Sequence, residues 1–211
     1  MFKTFVNTFP AVPPEMYHKI ILYYEILTKW NQAHNLVQRN TLVPSEFEKR
    51  HLIDCWQLIP HFSKEQPILD IGSGAGLPGV LLAIAGFNVH LCEIDLNKLS
   101  FLKVCISHLE LNCSTKHSDA NLITDKYTHV SSRAFSKLSN LLKVQWNVSR
   151  ETKGVYLKGA NYKSELDEAA RMWDFEVKLI NSKSSHEGMI LLVTKLSPKN
   201  HCSHEAILQI R

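Results

Sequence analysis

A glycine-rich stretch between two apolar runs constrains this chain more than any other feature. Residues 68–71 form a short β-rich apolar run, four glycines follow between positions 72 and 79, and a second apolar run begins close to Pro78. Glycine adopts positive φ and lets a ligand approach the backbone closely, while proline suits the first turn of a helix because its missing N–H would be unpaired there. The stretch therefore predicts a strand, a tight turn that holds a small ligand, and the start of a helix.

Two classes of cofactor fit this turn. Residues 74–79 match the dinucleotide fingerprint G-x-G-x-x-G, and Glu93 follows about 20 residues on, as a ribose-binding carboxylate should. Residues 70–76 match a second pattern, D-x-G-x-G-x-G, which closes the first strand of methyltransferases that use S-adenosylmethionine. That cofactor has no phosphate to place on a helix N-terminus, and Asp70 before the first glycine favours the second pattern. An NAD-dependent oxidoreductase is the alternative.

The next strand ends in two carboxylates. The apolar alternation over residues 88–93 predicts a buried strand, and Glu93 and Asp95 follow at its end. Ligands of doubly wound sheets bind outside the carboxyl ends of the strands, so Glu93 is the candidate to accept hydrogen bonds from ribose hydroxyls. Asp95 is the fallback for this role, but it is interpreted mainly as the N-cap of the following helix.

Six short sequence motifs give a specific resemblance to a known family. The chain is similar to the bacterial small-subunit ribosomal RNA guanine-N7 methyltransferases, the glucose-inhibited division protein B family. The resemblance covers roughly residues 15–195 and rests on residues 29–36 (KWNQAHNL), 49–54 (KRHLID), 69–79 (LDIGSGAGLPG), 101–103 (FLK), 132–135 (SRAF) and 157–159 (LKG). It implies a methyl transfer from S-adenosylmethionine to N7 of a guanine in 16S ribosomal RNA.

The resemblance also implies which residues touch the cofactor. The expected contacts are Gly72, Gly74, Gly76, Leu77, Glu93, Ala120, Asn121 and Arg133. Asn121 stands where the family commonly has an acidic residue; its amide keeps an oxygen acceptor but loses the charge. The neighbouring Asp119 either serves the adenine amino group or caps a turn.

Arg133 follows the fourth predicted strand, where methyltransferases bring substrate and cofactor together. Its planar fork suits either the cofactor carboxylate or an RNA phosphate. Arg50, His51 and Asp54 resemble the family's Arg-His-x-x-Asp word and are expected over the cofactor mouth, although Arg50 and Asp54 could instead form an i, i+4 pair.

Two further groups of residues leave alternatives open. Trp30 is expected in the core rather than as a platform for a base, whereas His34 and Asn35 could reach substrate. Lys158 and Gly159, at the end of the fifth predicted strand, could face an RNA phosphate.

Composition limits the other possibilities. The net charge of +4 is compatible with RNA but does not require it. Five cysteines without a C-x-x-C pair indicate reduced thiols in a cytoplasmic protein, without a disulfide framework or a metal site. No secretory signal and no apolar run of membrane-spanning length are found, so we expect no membrane partner.

The remaining pattern alternates between strands and helices. Strands are predicted near 68–71, 88–93, 114–118, 128–132, 154–158, 174–180 and 188–195, and helices near 14–29, 44–58, 78–85, 96–110, 136–147 and 162–172. Ser45 is the expected N-cap of the second helix. This order predicts an α/β fold with a doubly wound, mostly parallel seven-stranded sheet whose last two strands form a hairpin.

The predicted organisation has three parts. Residues 1–62 form an N-terminal helical extension packed on the catalytic domain, residues 63–198 form the methyltransferase domain, and residues 199–211 form a loosely held tail.

The predicted reaction needs no catalytic side chain. Guanine N7 has an exposed lone pair and no proton to lose, so catalysis by positioning is expected. The expected partner is small-subunit ribosomal RNA or the 30S particle, and the expected state is a monomer. A non-catalytic RNA-binding module is a further alternative.

Overall fold

Seven strands form one twisted sheet at the centre of the protein. The structure, a computed structural model, describes residues 1–148 and 151–199. The strands are β1 Ile68–Ile71, β2 Val89–Glu93, β3 Cys113–His117, β4 His129–Arg133, β5 Lys153–Lys158, β6 Trp173–Asn181 and β7 Met189–Pro198. Their order across the sheet is β3-β2-β1-β4-β5-β7-β6, and β7 runs antiparallel to both of its neighbours. The predicted doubly wound sheet with a terminal hairpin is confirmed.

Helices cover both faces of this sheet. They are α1 Lys3–Thr8, α2 Pro14–Trp30, α3 Pro44–Phe47, α4 Asp54–Trp56, α5 Gly79–Ile84, α6 Leu96–His108, α7 Leu138–Val148 and α8 Tyr162–Ala169. One apolar core contains α5, α6 and the N-terminal helices, and the other contains α7 and α8. The near-continuous burial of β1 and β5 follows, since a parallel sheet covered on both faces exposes neither side of its central strands.

The N-terminal region differs from its prediction in three places. The short helix α1 was not predicted. A π-helical segment, Glu48–Ile53, joins α3 to α4, so residues 44–56 form one helical segment with a widened middle turn. Ser45 is not the N-cap: Pro44 begins α3 after Val43, and no side chain caps it. Proline's fixed φ and missing N–H suit this first helical position.

Other differences concern where elements end. Helix α8 stops at Ala169, three residues before the predicted end, and its last carbonyls are bonded in turns that lead into β6. Helix α5 begins at Gly79, one residue after the predicted start at Pro78. The predicted loose tail lies outside the described residues from position 200 onwards.

The N-terminal helices and the sheet share a core. Phe5, Tyr23 and Phe47 are fully buried in the same apolar cluster as Val80 of α5. The Tyr23 hydroxyl also donates a hydrogen bond to the carbonyl of Ala75 in the glycine-rich turn. This bond ties α2 directly to the loop between β1 and α5.

Asn31 fixes the loop that follows α2. Its side-chain oxygen accepts from the backbone N–H groups of Leu36 and Val37, both at 2.9 Å, and its amide donates to the Val37 carbonyl at 3.1 Å. Asn31 is buried, so these three bonds satisfy groups that water does not reach.

We expect Asn31→Ala to lower the free energy of unfolding by about 1–3 kcal/mol, because buried backbone groups lose their partners. Chemical denaturation measures this. Asn35→Ala, four residues on at an exposed position, is the matched control and should change stability little. Equal effects of the two substitutions would show that the three bonds do not hold the loop.

Candidate functional site

The turn between β1 and α5 adopts the conformation that its glycines predict. Gly72, Gly74 and Gly76 have φ values of 65°, 54° and 81°, in the left-handed region that costs other residues roughly 1–2 kcal/mol. Gly76 packs toward Val80 and Leu102, where a Cβ would collide. Gly74 has open space at its Cα, with the nearest atom to a Cβ at 3.8 Å. The turn thus presents backbone rather than side chains to its open side.

Glu93 links this turn to the end of β2. One carboxylate oxygen accepts from the Gly74 N–H at 2.8 Å, and the other accepts from the N–H groups of Ile94 and Asp95 at 2.8 and 2.9 Å. Glu93 is 6% exposed. A carboxylate offers about four acceptor positions, so the oxygen that binds Gly74 keeps one position for a further donor.

Two neighbouring aspartates cap helical turns. Asp95 accepts from the N–H groups of Asn97 and Lys98 at 2.9 and 3.0 Å, which confirms the predicted N-cap of α6. Asp119 accepts from the backbone and the side-chain amide of Asn121, both at 2.9 Å, so the structure places it as a turn cap.

Asp70 lies fully buried at the end of β1, beneath the glycine-rich turn. One carboxylate oxygen accepts from the Ser131 hydroxyl at 2.6 Å, and the other has no hydrogen-bond partner among the described residues. That second oxygen faces Gly79, where a Cβ would collide with it. Burial raises the pKa of Asp70 to about 6, although the bond from Ser131 opposes this shift.

A cavity of about 370 Å³ opens above the turn. It lies within the usual size range of small-molecule sites. Five of the predicted cofactor contacts line it, namely Gly72, Gly74, Leu77, Glu93 and Arg133. Leu36 and Val37, which Asn31 holds, form its other wall. The remaining predicted contacts do not line it: Gly76 faces the helices, Ala120 is buried, and Asn121 is exposed.

The residues of this cavity fit S-adenosylmethionine. The turn has no side chain where a nucleoside would approach, and Glu93 keeps an acceptor position for a ribose hydroxyl.

A second cavity, of about 570 Å³, adjoins the first. It lies at the ends of β4 and β5 beside the β6–β7 turn, and Arg133, Ala134 and Phe135 line both cavities. The Phe135 ring covers Gly72, where any Cβ would overlap it, yet the residue is 41% exposed. Ala134 holds this position with a φ of 53°, which is uncommon for alanine. Phe135 is therefore a wall between the two cavities, a role that the sequence did not predict.

Arg133 is held by the 44–56 helical segment. It donates to the Arg50 carbonyl at 2.9 Å, to the Asp54 carboxylate at 3.3 Å and to Nδ1 of His51 at 2.7 Å. The resemblance places the Arg-His-x-x-Asp word over the cofactor mouth, and the structure brings its three members to Arg133. The possible pair between Arg50 and Asp54 is not formed, because Arg50 binds Glu46 at 2.6 Å instead.

Asp54 also reaches the far hairpin. Its carboxylate accepts from the Ser184 hydroxyl at 2.6 Å, and Gln57 accepts from the Lys183 N–H at 2.7 Å. These contacts join the 44–56 segment, and Gln57 that follows it, to the turn between β6 and β7 beside the second cavity.

Two other sequence candidates, Trp30 and Lys158, have protein partners in the structure. Trp30 contacts the rings of His34 and Phe101 at 5.3 and 5.8 Å and packs against the core, as predicted. The Lys158 side chain is only 8% exposed and donates to Glu165 and to the Ser136 carbonyl, both at 2.7 Å. Lys158 and Gly159 nevertheless both line the second cavity, so their predicted contact with an RNA phosphate stays a prediction.

The described part of the chain shows neither a cluster of metal ligands nor a membrane-spanning helix. Within residues 1–148 and 151–199, no group of three His, Cys, Asp or Glu side chains is placed to hold a metal ion. The same part of the chain contains no helix of the length and apolarity needed to cross a membrane.

Solved structures with a similar fold include proteins that bind or use S-adenosylmethionine. A TehB-like SAM-dependent methyltransferase from Corynebacterium glutamicum superposes with a TM-score of 0.52 at 16% identity, over 68% of this chain and 87% of that one. A mutant of MtNAS in complex with S-adenosylmethionine gives a TM-score of 0.59 at 17% identity, over 85% of this chain and 75% of that one. The fold is therefore that of the Rossmann-like methyltransferases.

Sequence comparison identifies the family. Residues 16–192 match the model of the rRNA small subunit methyltransferase G family. Proteins named ribosomal RNA small subunit methyltransferase G from Rickettsia felis and Rickettsia bellii are 37% and 35% identical to this chain, each over 88% of it and 97% of the relative. The chain belongs to this family. The predicted resemblance, the enzyme class and S-adenosylmethionine as cofactor are confirmed, and neither an oxidoreductase nor a non-catalytic module is supported.

Two glycines with similar φ values provide a matched test of the Phe135 wall. Gly74→Ala should cost about 1 kcal/mol of stability through its left-handed backbone alone. Gly72→Ala should have the same backbone cost and should also displace Phe135. It should therefore weaken S-adenosylmethionine binding at least about tenfold more than Gly74→Ala does, or by roughly 1.4 kcal/mol more. Isothermal titration measures the affinity. In a Phe135→Ala background the excess effect of Gly72→Ala should vanish; an unchanged excess would contradict the contact.

The buried carboxyl of Asp70 predicts a pH dependence of stability. Its folded-state pKa of about 6 lies above the ordinary aspartate value of 3.8, so as the pH falls the folded state takes up a proton before the unfolded state does. The contribution of Asp70 to the free energy of unfolding of the wild type is therefore greatest at low pH and falls as the pH rises through 6. Relative to wild type, Asp70→Asn should gain about 1 kcal/mol of unfolding free energy between pH 5 and pH 8. Denaturation at both pH values measures this, and parallel profiles would rule out a raised pKa.

Proposed function

We propose that this protein transfers the methyl group of S-adenosylmethionine to N7 of a guanine in 16S ribosomal RNA. The observation that carries the proposal is the pair of adjoining cavities that meet at Arg133 and Phe135. Membership of the rRNA small subunit methyltransferase G family supports ribosomal RNA as the substrate.

The first cavity is the proposed cofactor site. S-adenosylmethionine supplies the activated methyl group when it is bound. The open backbone of Gly74 lets it approach closely, and Gly72 lines the same cavity beneath the Phe135 ring. Leu77 covers apolar surface, and Glu93 accepts from a ribose hydroxyl. Ala120 and Asn121 follow β3 and are proposed for the adenine, and Gly76 supports the turn by allowing close helix packing. Arg133 faces both the cofactor and the substrate cavity.

The second cavity is the proposed site of the acceptor guanine. Phe135 offers an aromatic surface on which a purine can stack, and such stacking contributes about 1–3 kcal/mol per base. Arg50 and Lys137 also line this cavity, with side chains 58% and 67% exposed. Their ion pairs with Glu46 and Glu168 are exposed and so contribute little, which leaves both cations able to exchange toward RNA phosphate.

The proposed chemistry relies on position. The lone pair of N7 is available without proton removal, so no side chain has to act as a base. The imidazole of His51 on the 44–56 segment has both ring nitrogens in hydrogen bonds, one with Arg133 and the other with Thr41. The protein's contribution is to hold the two reacting atoms in line and to exclude water between them.

Three further features of the organisation belong to this proposal. Residues 1–62 act as an extension packed on the catalytic domain 63–198, which their shared apolar core supports. The proposed substrate places the reaction in the cytoplasm, on free small-subunit RNA or on the 30S particle. The protein is proposed to act as a monomer and without a metal.

The direct test uses 30S particles from cells that lack this protein. Incubation with isotopically labelled S-adenosylmethionine, digestion of the RNA and mass spectrometry of the nucleosides should reveal labelled N7-methylguanosine. Reverse-transcription mapping should then locate one position in the small-subunit RNA. Label on an exocyclic amine or on a pyrimidine would overturn the proposal, as would its absence with every particle and RNA tested.

Substitutions of Glu93 and Asp95 distinguish a residue that contacts the cofactor from one that caps a helix. Glu93→Ala should weaken S-adenosylmethionine binding by about 1–3 kcal/mol, because a hydrogen bond to a charged group is lost. Asp95→Ala should lower stability by about 0.5–2 kcal/mol through loss of the cap, with the cofactor affinity unchanged. Isothermal titration and denaturation of both variants provide the comparison; the larger loss of affinity in Asp95→Ala would reverse the assignment.

A further inference from the structure

The hydrogen bonds of Arg133 fix the protonation of His51. A guanidinium has N–H donors and no acceptor, so Nδ1 of His51, 2.7 Å from Nη2 of Arg133, accepts a hydrogen bond and carries no proton. Nδ1 must therefore present its lone pair to Arg133.

The protonation of the other ring nitrogen, Nε2, is fixed by the Thr41 hydroxyl and its own hydrogen bond. The Thr41 hydroxyl donates to the Gln38 carbonyl at 2.7 Å, so its single proton is already used. Its oxygen lies 2.8 Å from Nε2 of His51 and can only accept there. His51 is consequently a neutral imidazole with its proton on Nε2.

The surroundings of His51 agree with this assignment. The residue is 5% exposed, and burial together with the charges of Arg133 and Arg50 lowers its pKa to about 3. Phe47, one turn earlier, packs against the ring at 5.7 Å. The ring therefore remains neutral at the pH values at which cells grow.

Resting on the proposed function, we propose that His51 is a positioning residue, whose unprotonated Nδ1 fixes the Arg133 guanidinium at the junction of the cofactor and acceptor cavities. The Arg50 carbonyl and Asp54 hold Nη1, and His51 holds Nη2. With the weaker bond from Nη1 to Cys55 Sγ at 3.8 Å, four contacts on two nitrogens determine the plane of the guanidinium.

This arrangement leaves two donors for a ligand. Of the five N–H groups of a guanidinium, Nε–H and one hydrogen of Nη2 have no partner among the described residues. Arg133 lines both cavities, so these two groups can serve the cofactor or the RNA. A misplacement of about 1 Å at a group that positions a reactant can lower the rate by roughly 10²-fold. A neighbour that fixes the plane of the Arg133 guanidinium therefore affects the rate.

Two substitutions of His51 separate its two nitrogens. In His51→Asn the amide oxygen can take the place of Nδ1 and accept from Arg133, but the link to Thr41 is lost. In His51→Gln the amide lies near Nε2 and keeps the link to Thr41, but the acceptor for Arg133 is lost. His108→Gln on the exposed end of α6 is the matched control.

We expect His51→Asn to keep kcat/KM for 30S methylation within about threefold of wild type, and His51→Gln to lose about tenfold to 100-fold. His108→Gln should match wild type. The opposite order, or equal losses in both His51 variants that follow their stability, would overturn the proposal.

Nuclear magnetic resonance tests the same inference without any reaction. In protein with ¹⁵N-labelled histidines, the signals missing from His51→Gln identify His51. They should show an unprotonated Nδ1 and a protonated Nε2 throughout pH 5.5–8. A protonated Nδ1, or titration within this range, would overturn the proposal. Because this measurement needs neither RNA nor cofactor, its failure is distinct from failure of the proposed function.

Discussion

The tie between Arg133 and the 44–56 helical segment is the interaction on which the site depends. Arg133 ends a central strand, and its side chain is only 16% exposed. A buried guanidinium is costly unless it is paired and hydrogen-bonded. Asp54 supplies the charge and His51 a neutral acceptor, so the strand and the helix must meet at one geometry. That meeting point is also where the two cavities join.

The N-terminal helices are therefore part of the site as well as of the core. They contact it at three separate places: Tyr23 binds the glycine-rich turn, Asn31 holds the cavity wall at Leu36 and Val37, and Asp54 reaches the β6–β7 turn through Ser184. The sheet alone would leave the first cavity open on one side and Arg133 without partners. Residues 29–36 and 49–54, the helical motifs of the resemblance, therefore contribute to the site together with the glycine-rich turn.

Much of the fold follows from local sequence signals. The four-residue strand β1, the turn glycines and the cap at Asp95 each depend on residues close in sequence, and each was predicted within a residue or two. The Ser45 cap was wrong because two N-terminal signals compete there and Pro44 begins the helix. The π-helical middle of the 44–56 segment leaves no simple periodicity to detect.

The missing parts of the site depend on distant residues. The bond between Asp54 and Ser184 spans 130 positions, and nothing in either local sequence indicates the other. Phe135 belongs to a word that the resemblance quotes, yet only the fold places its ring over Gly72. The polar partners of Lys158 are likewise set by the arrangement of α8 against β5. The sequence therefore predicted the lining of the first cavity better than that of the second.

A crystal structure with S-adenosylhomocysteine, the demethylated cofactor, tests the central claim most directly. Its ribose should lie against Glu93, with its adenine toward Ala120 and Asn121 and its sulfur at the junction formed by Arg133 and Phe135. The second cavity should stay open beside the sulfur. A ligand whose sulfur points away from that junction, or one seated in the second cavity, would contradict the account of two adjoining sites.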